Sequence, residues 1–297
     1  MTLNGLTVDL EEYFQVSNFE KLIDRRDWGN LPSRVVDSTA RLLDAFEATG
    51  NRATFFALGW VAERQPGLIR EIAGRGHEIA CHGYDHQLLY ALGPEGFRAD
   101  LRRARLTIED ALGVPVRGYR APSYSITRDS LWALSILAEE GFDYDSSIFP
   151  IRHYRYGIPG FCREPVRLEL ESGASILEFP LTTLRVGPLT LPLAGGAYLR
   201  FLPAALFRWG LRRLESAGEA TALYTHPWEI DPCQPRQHLR WKVRVNHYHN
   251  LDRMEQRLRS LLECFHFAPL REVLERLTAQ SGLETRRLAA ALHADQS

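Results

Sequence analysis

The sequence lacks most of the features that would assign a class at first sight. Its four cysteines, Cys81, Cys162, Cys233 and Cys264, are far apart and form no C-x-x-C pair. A zinc ribbon or a thioredoxin-type redox site is therefore excluded. A disulfide scaffold makes no sense at 297 residues. The four thiols read as free and buried. Charge of one sign is also missing, with 36 Lys+Arg against 37 Asp+Glu and a net charge of -1. No global field attracts nucleic acid or anionic lipid. No apolar run approaches the ~18 residues of a membrane span. Met1 to Asp9 has neither a basic segment nor a long apolar one, so no signal peptide is read. The default expectation is a cytoplasmic protein without an integral membrane segment, at most peripheral to a membrane. Internal repeats and low-complexity tracts are absent too.

What is present is an ordinary globular composition. Hydrophobic residues make up 45% and charged residues 25%, with a mean hydropathy of -0.25 and a pI near 6.8. Disorder and fibrous classes are excluded for the bulk of the chain, and the length can bury a sizeable core. Short apolar runs alternate with stretches of helical periodicity. Strands are predicted at Leu6–Val8, Ala53–Leu58, Glu78–Cys81, Val116–Tyr119, Phe142–Tyr144 and Thr221–Tyr224, with a last short one at Phe265–Phe267. Helices are predicted at Arg34–Ala48, Pro66–Ala73, Pro94–Leu112, Arg128–Glu140, Pro203–Ala217, Leu251–Cys264 and Pro269–Ala279. Between residues 150 and 200 the pattern turns to Pro, Gly and β-like runs at Val166–Leu170, Ser175–Phe179 and Leu181–Val186, which reads as a β-rich insertion. Residues 281–297 read as a tail, a loose helix at most. Repeated strand–helix units imply an α/β fold with a parallel sheet, and about seven such units would close a barrel.

In such folds chemistry sits at the C-terminal ends of strands. Used as a filter, that rule picks out one set of polar residues. Asp9, Glu11 and Glu12 follow the first strand. His82 to His86 follow the third, Arg120 to Tyr124 the fourth, and Asp145 to Ser147 the fifth. His226 to Glu229 follow the strand at Thr221. His82 and His86, four apart, can aim two imidazoles at one point. With a carboxylate from another strand end they suit a hydrolytic metal site. Asp9 and Glu11 share a face if the strand continues, so one could hold metal while its neighbour takes a proton. Arg120 suits the paired hydrogen bond that positions a carboxylate, and His226 suits a general acid. Tyr124, Tyr198, Trp209, Trp228 and Trp241 are candidate flat walls for a sugar. His247 and His249 are a weaker candidate for a second metal.

Together these residues resemble the polysaccharide deacetylases of the NodB homology domain, carbohydrate esterase family 4. The likeness lies in Thr7-Val-Asp9-Leu-Glu11, His82-Gly-Tyr-Asp-His86, Arg120-Ala-Pro122 and Leu223-Tyr-Thr-His226, within roughly residues 5 to 270. Three longer strings, Thr7 to Val16, Gly141 to Pro150 and His226 to Pro232, resemble the subgroup found with exosortase and exopolysaccharide gene clusters, with a DUF3473-type C-terminal region.

The resemblance implies a distorted (β/α)7 barrel, with residues 1–280 as one catalytic domain that carries the insertion. It implies a divalent metal, usually zinc, and removal of N-acetyl groups from hexosamine sugars. Carried over by position, Asp9 is the base, oriented by Arg120, and His226 the acid. Glu11, His82 and His86 are the ligands, with Glu12 an alternative to Glu11. Ser123, contributing a backbone N–H to the oxyanion, joins Tyr124, Asp145 and Trp228 as the substrate-binding set. The family's Asp-Trp motif that supports the catalytic histidine has no recognisable counterpart. The implied partner is an N-acetylated polysaccharide or a lipid-linked oligosaccharide, not nucleic acid. An amide hydrolase acting on a small non-peptide amide, or an inactive glycan-binding module, is the alternative on the same fold.

Overall fold

The structure, a computed structural model, describes residues 4–187, 189–280 and 282–294. The chain begins with β1 (Asn4–Leu10), α1 (Val35–Ala48), β2 (Thr54–Ala57), α2 (Gly59–Arg64), α3 (Pro66–Gly74), β3 (Glu78–Cys81) and α4 (Leu89–Leu112). Then come β4 (Gly118–Tyr119), α5 (Trp132–Glu139), β5 (Tyr144–Asp145), β6 (Val166–Glu169), β7 (Ser175–Glu178), β8 (Thr183–Val186) and β9 (Leu189–Pro192). The last part holds α6 (Ala197–Phe201), α7 (Ala204–Ala217), β10 (Thr221–Thr225), α8 (Trp241–Tyr248), α9 (Leu251–Cys264), α10 (Leu270–Gln280), β11 (Thr285–Arg287) and α11 (Leu288–Ala291).

The main sheet runs β10-β1-β2-β3-β4-β5-β7-β6-β11, and every neighbouring pair is parallel except β6–β7. Strand alternation divides the core in two. Leu6, Val8 and Leu10 of β1, Phe55 and Ala57 of β2, and Ile79 and Cys81 of β3 pack outward under the helices. Phe56, Ala80, Tyr144 and Ala222 pack together on the other face with Phe179 and with Leu270 and Val273 of α10. The start of α10 is tied to the N-terminal strand ends: Leu270 N donates to Thr54 Oγ1 (2.8 Å) and Arg271 N to Glu78 Oε2 (3.3 Å).

The gap between β7 and β10 is bridged irregularly. Past β7, Thr182 exchanges hydrogen bonds with Ala222, Oγ1 to O at 3.0 Å and N to Oγ1 at 2.7 Å. Tyr224 N donates to Ala194 O (2.6 Å), and Gly196 N to Tyr224 O (2.9 Å). Seven parallel strands, β10, β1, β2, β3, β4, β5 and β7, are thereby joined into a distorted ring. The close approach requires glycine: a Cβ on Gly195, whose φ is +110°, would stand 2.1 Å from Tyr224 O. The expected α/β fold with a mostly parallel sheet is the one observed.

Several local expectations change. The helix expected from Pro94 gains a turn, Leu89–Leu92, across a break at Gly93 (φ 69°). Phe265–Phe267 is not a strand; Phe267 instead bonds Asn51 and Arg52. Residues 282–294 are not a loose helix: β11 pairs with β6 before the short α11, and the rest of the expected tail, 281 and 295–297, lies outside the described residues. The strand β9 and the helices α2, α6 and α8 carry no expectation. α8 escapes because Trp-Lys-Val-Arg-Val alternates like a strand; the helix is anchored at its end, where His247 meets Gln234 and the Asn246 and His247 carbonyls accept from Arg200. Among the described residues no helix is long and apolar enough to cross a membrane.

Candidate active site

Asp9 stands near the end of β1 and Glu11 just past it. His82 follows β3 directly, Arg120 follows β4, and His226 follows β10. All lie at C-terminal strand ends. Asp9, Glu11, His82, His86, Ser123, Tyr124, His226 and Trp228 line a common cavity of about 760 Å³. His86 has a left-handed backbone (φ 57°), which turns its ring back beside His82, with ring centroids 5.6 Å apart.

Ligand atoms of Glu11, His82 and His86 lie within 4.8 Å of one another, all three residues buried. No other such group occurs among the described residues. His82 Nδ1 lies 2.8 Å from the Arg120 carbonyl. That contact places the proton on Nδ1 and leaves Nε2 a lone pair, as metal-binding histidines require. Burial, opposed by the Asp9 and Glu11 charges, pushes the His82 pKa down to about 4, so the ring is neutral. Glu11 Oε1 accepts from Trp228 Nε1 (3.1 Å). Glu11 Oε2 is buried without a hydrogen-bond partner, 3.0 Å from His86 Nε2. An orphaned carboxylate oxygen facing imidazole nitrogens fits a cation between them, and one carboxylate with two imidazoles is a zinc-type donor set. Glu12 is turned away, its carboxylate held by Ser33 and by Arg34 N (2.9 Å).

Arg120 is fully buried. Its Nη1 donates to Asp9 Oδ1 (2.8 Å) and Thr7 Oγ1 (2.5 Å), its Nε to Ser146 O (2.9 Å) and its Nη2 to Ser146 Oγ (2.9 Å). Burial alone would raise the Asp9 pKa; the charges of Arg120, His82 and His226 outweigh it and hold the carboxyl below its usual range. Tyr124 Oη lies 3.4 Å from Asp9 Oδ2. Ser123 and Tyr124 both have positive φ (50° and 55°), and Ser123 Oγ is tied to Ser17 Oγ at 2.6 Å.

His226 faces this centre with Nε2, 3.8 Å from Asp9 Oδ2 and 3.7 Å from Glu11 Oε1. Its Nδ1 lies 3.1 Å from Glu229 Oε2, and Arg200 Nε donates to Glu229 Oε1 at 2.8 Å. Burial would lower the His226 pKa, but the bond to Glu229 and the charges of Glu229, Glu11 and Asp9 push it up to about 9. Glu229 goes the other way: Arg200 and His226 overcome burial and take it to about 2. Sequence reasoning did not assign Glu229 or Arg200. The first has a signal, the i,i+3 capping pair in His226-Pro-Trp-Glu229. The second, 29 residues away on α6, has none.

One expected substrate contact, Asp145, lies away from the cavity, and another, Trp228, has a further structural part. Asp145 does not line the cavity. It is fully buried in β5, in register with Glu178 of β7, and bonded to Ser147. Burial and the neighbouring Asp145 raise the Glu178 pKa well above the usual carboxylate range. Trp228 lines the cavity but is stacked against both His226 (5.0 Å) and His247 (4.5 Å), so it supports Glu11 and His226. Tyr198 lines the cavity; Trp209 and Trp241 do not. His247 and His249 do not converge: His247 meets Gln234 and Trp228, while His249 stacks on Phe201. Cys81 and Cys162 are buried, but Cys233 and Cys264 are exposed.

The fold, an α/β architecture with a mostly parallel central sheet, is similar to that of solved polysaccharide deacetylase structures. Residues 27–141 match the polysaccharide deacetylase family, and residues 146–275 match DUF3473, a domain of unknown function. The chain is 29% identical over 99 residues to a peptidoglycan-N-acetylglucosamine deacetylase of Bacillus cereus, covering 33% of this chain and 36% of that protein. It is 35% identical over 102 residues to a chitooligosaccharide deacetylase of Sinorhizobium fredii, covering 33% and 45%. The chain thus spans less than half the length of these curated relatives. A structure described as a polysaccharide deacetylase from Mycobacterium smegmatis superposes with a TM-score of 0.63 at 23% identity, over 96% of this chain and 92% of that one.

Proposed function

We propose that this chain hydrolyses N-acetyl groups on hexosamine residues of a bacterial exopolysaccharide or its lipid-linked precursor. One observation carries the reading. A buried Glu11-His82-His86 cluster, an Arg120-held carboxylate and a protonated imidazole meet in a single cavity. The names of the partial relatives support a deacetylase. The strings shared with exosortase-associated deacetylases support an exopolysaccharide. Residues 1–280 are read as one catalytic unit, because the constellation draws on both matched segments: His82, His86 and Arg120 come from the first, and His226, Glu229 and Arg200 from the second.

Glu11, His82 and His86 would hold the metal. When bound, a divalent ion supplies Lewis acidity toward a carbonyl oxygen and toward water. Asp9, kept ionised by Arg120, takes the proton from the attacking water as its oxygen bonds to the acetyl carbon. Ser123 and Tyr124, both left-handed, line the cavity beside Asp9, and the Ser123 N–H would serve the oxyanion, since the Tyr124 N–H is already donated to Ala121 O. His226 gives the Nε2 proton to the sugar nitrogen as the C–N bond breaks, releasing acetate and a free amine. Glu229, fixed by Arg200, keeps Nδ1 protonated and Nε2 aimed inward, filling the role of the missing Asp-Trp motif.

The test is acetate release from N-acetylated oligosaccharides by the metal-loaded protein, with metal content measured in parallel. Asp9→Asn should lose about 10²- to 10⁴-fold in kcat, and His82→Ala should lose both metal and activity, with the circular dichroism spectrum unchanged. Acetate release that survives both substitutions would remove the assignment.

A further inference from the structure

The chemistry occupies the floor of the cavity, and the rim carries a pattern that the chemistry does not use. The carboxylates lining the cavity are Asp9, Glu11 and Glu229, all committed at the floor. Arg155, on the loop after β5, and Lys242, in the first turn of α8, also line it. Among the described residues no carboxylate lies within ion-pairing distance of either. Each cation stands beside an exposed ring, Tyr154 in the cavity lining and Trp241 next to Lys242 in sequence but outside that lining. The Arg155 guanidinium is 5.7 Å from the Tyr154 ring centroid, and Lys242 Nζ is 5.6 Å from that of Trp241. Tyr154 is 85% exposed and Trp241 70%.

Rings this open contribute little to the core and leave their faces available to a ligand. The Tyr154 loop is nonetheless anchored: His153 stacks on Tyr156 at 3.8 Å, and Tyr156 lies parallel to Phe149. The groove also continues past it. A second cavity of about 620 Å³ shares Tyr154 and Arg155 with the first and extends to Tyr90, Thr127, Arg128 and Asp129, so its far end carries charges of both signs.

We propose that the glycan accepted here is acidic. Its pyranose faces lie on Tyr154 and Trp241, and its sugar carboxylates pair with Arg155 and Lys242 as it leaves the catalytic floor. A flat aromatic face suits the apolar side of a sugar ring, and a guanidinium or ammonium beside it suits a carboxylate. The proposal takes its glycan from the deacetylase reading, but binding tests it without turnover.

The experiment is calorimetric binding to the zinc-loaded Asp9→Asn protein. The acidic probe is a hexasaccharide alternating N-acetylglucosamine and glucuronic acid; the neutral probe is the N-acetylglucosamine hexamer. Two rim charges predict a preference of about tenfold for the acidic probe. It should shrink toward unity between about 0.05 and about 0.5 M salt as the charges are screened. In the Arg155→Gln/Lys242→Gln variant the preference should disappear, and Tyr154→Ala should weaken both probes. Equal or tighter binding of the neutral hexamer overturns the proposal. So does a preference that survives the double substitution, or binding of inorganic diphosphate without binding of the acidic hexamer. Acetate release in the wild-type protein is read separately. Its absence would sink the deacetylase reading and leave the binding comparison intact.

Discussion

At the scale of single residues, two supports behind the reacting groups carry the sharpest consequences. Glu229 reaches the reaction only through His226. Glu229→Gln removes the anionic partner of Nδ1, while Arg200 keeps the carbonyls of Asn246, His247 and His249 as acceptors. We expect kcat to fall by roughly 10- to 100-fold with KM nearly unchanged, a split that steady-state kinetics reads directly. A change confined to KM would contradict the positioning role. Trp228 acts on the other partner by donating to Glu11. Trp228→Phe retains a stacking ring and deletes that donor, so metal affinity should drop by about 10- to 100-fold in a chelator competition. Asp9, Glu11, His82, His86 and His226 are legible in sequence because strand ends select them. Arg200 is not, because its contact with Glu229 exists only once α6 has packed.

At the scale of elements, burial of a neutral imidazole sets an acid limit on the fold. His77, between α3 and β3, accepts from Ala53 N at Nδ1 (3.1 Å) and packs edge-on against Phe55. Burial, with the charges of Arg52 and Arg75, lowers its pKa from 6.5 to about 4. The unfolded chain therefore takes up this proton at higher pH than the folded one does. Stability contributed by neutral His77 is present above about pH 6.5 and drains away as pH falls toward about 4. The total is on the order of 3 kcal/mol. His77→Gln keeps an acceptor and cannot titrate, so its melting temperature should fall less steeply with acid than that of the wild type. Parallel slopes would show that His77 is not the responsible group. Strands such as β1 are readable because a short apolar run marks them, and β1 is buried on both faces. The helix α8 is not, since its residues carry a strand-like pattern that tertiary contacts override.

At the scale of the whole molecule, the edge of the sheet is closed by the C-terminus. β11 covers the β6 edge, Ala291 is fully buried, and Cys162 N donates to Ala291 O (3.1 Å). Ending the chain after residue 280 would bare that edge and remove contacts worth ~2–3 kcal/mol. The melting temperature should drop by roughly 5–10 °C, with greater aggregation from the exposed edge. Calorimetry and light scattering on the shortened chain check this. An unchanged melting temperature would mean that the β11–β6 pairing adds little. The ring of seven strands depends equally on distant partners, Thr182 with Ala222 and Gly195 against Tyr224.

By itself the sequence determined the α/β class, most of the alternating elements and the polar residues at the strand ends. Each of these follows from a local pattern: periodicity, a helix stop, or a motif a few residues long. Only the tertiary structure placed Glu11 rather than Glu12 beside His82 and His86, supplied Glu229 and Arg200 behind His226, and put Asp145 outside the cavity lining. The physical reason is that orientation and burial of a side chain are set by neighbours remote in the chain. Glu12 turns to Ser33 and Arg34, Asp145 meets Glu178 across a strand pair, and Arg200 reaches Glu229 from another helix. The near-neutral charge balance, uninformative as a sum, hides an arrangement in which carboxylates sit on the cavity floor and free cations on its rim.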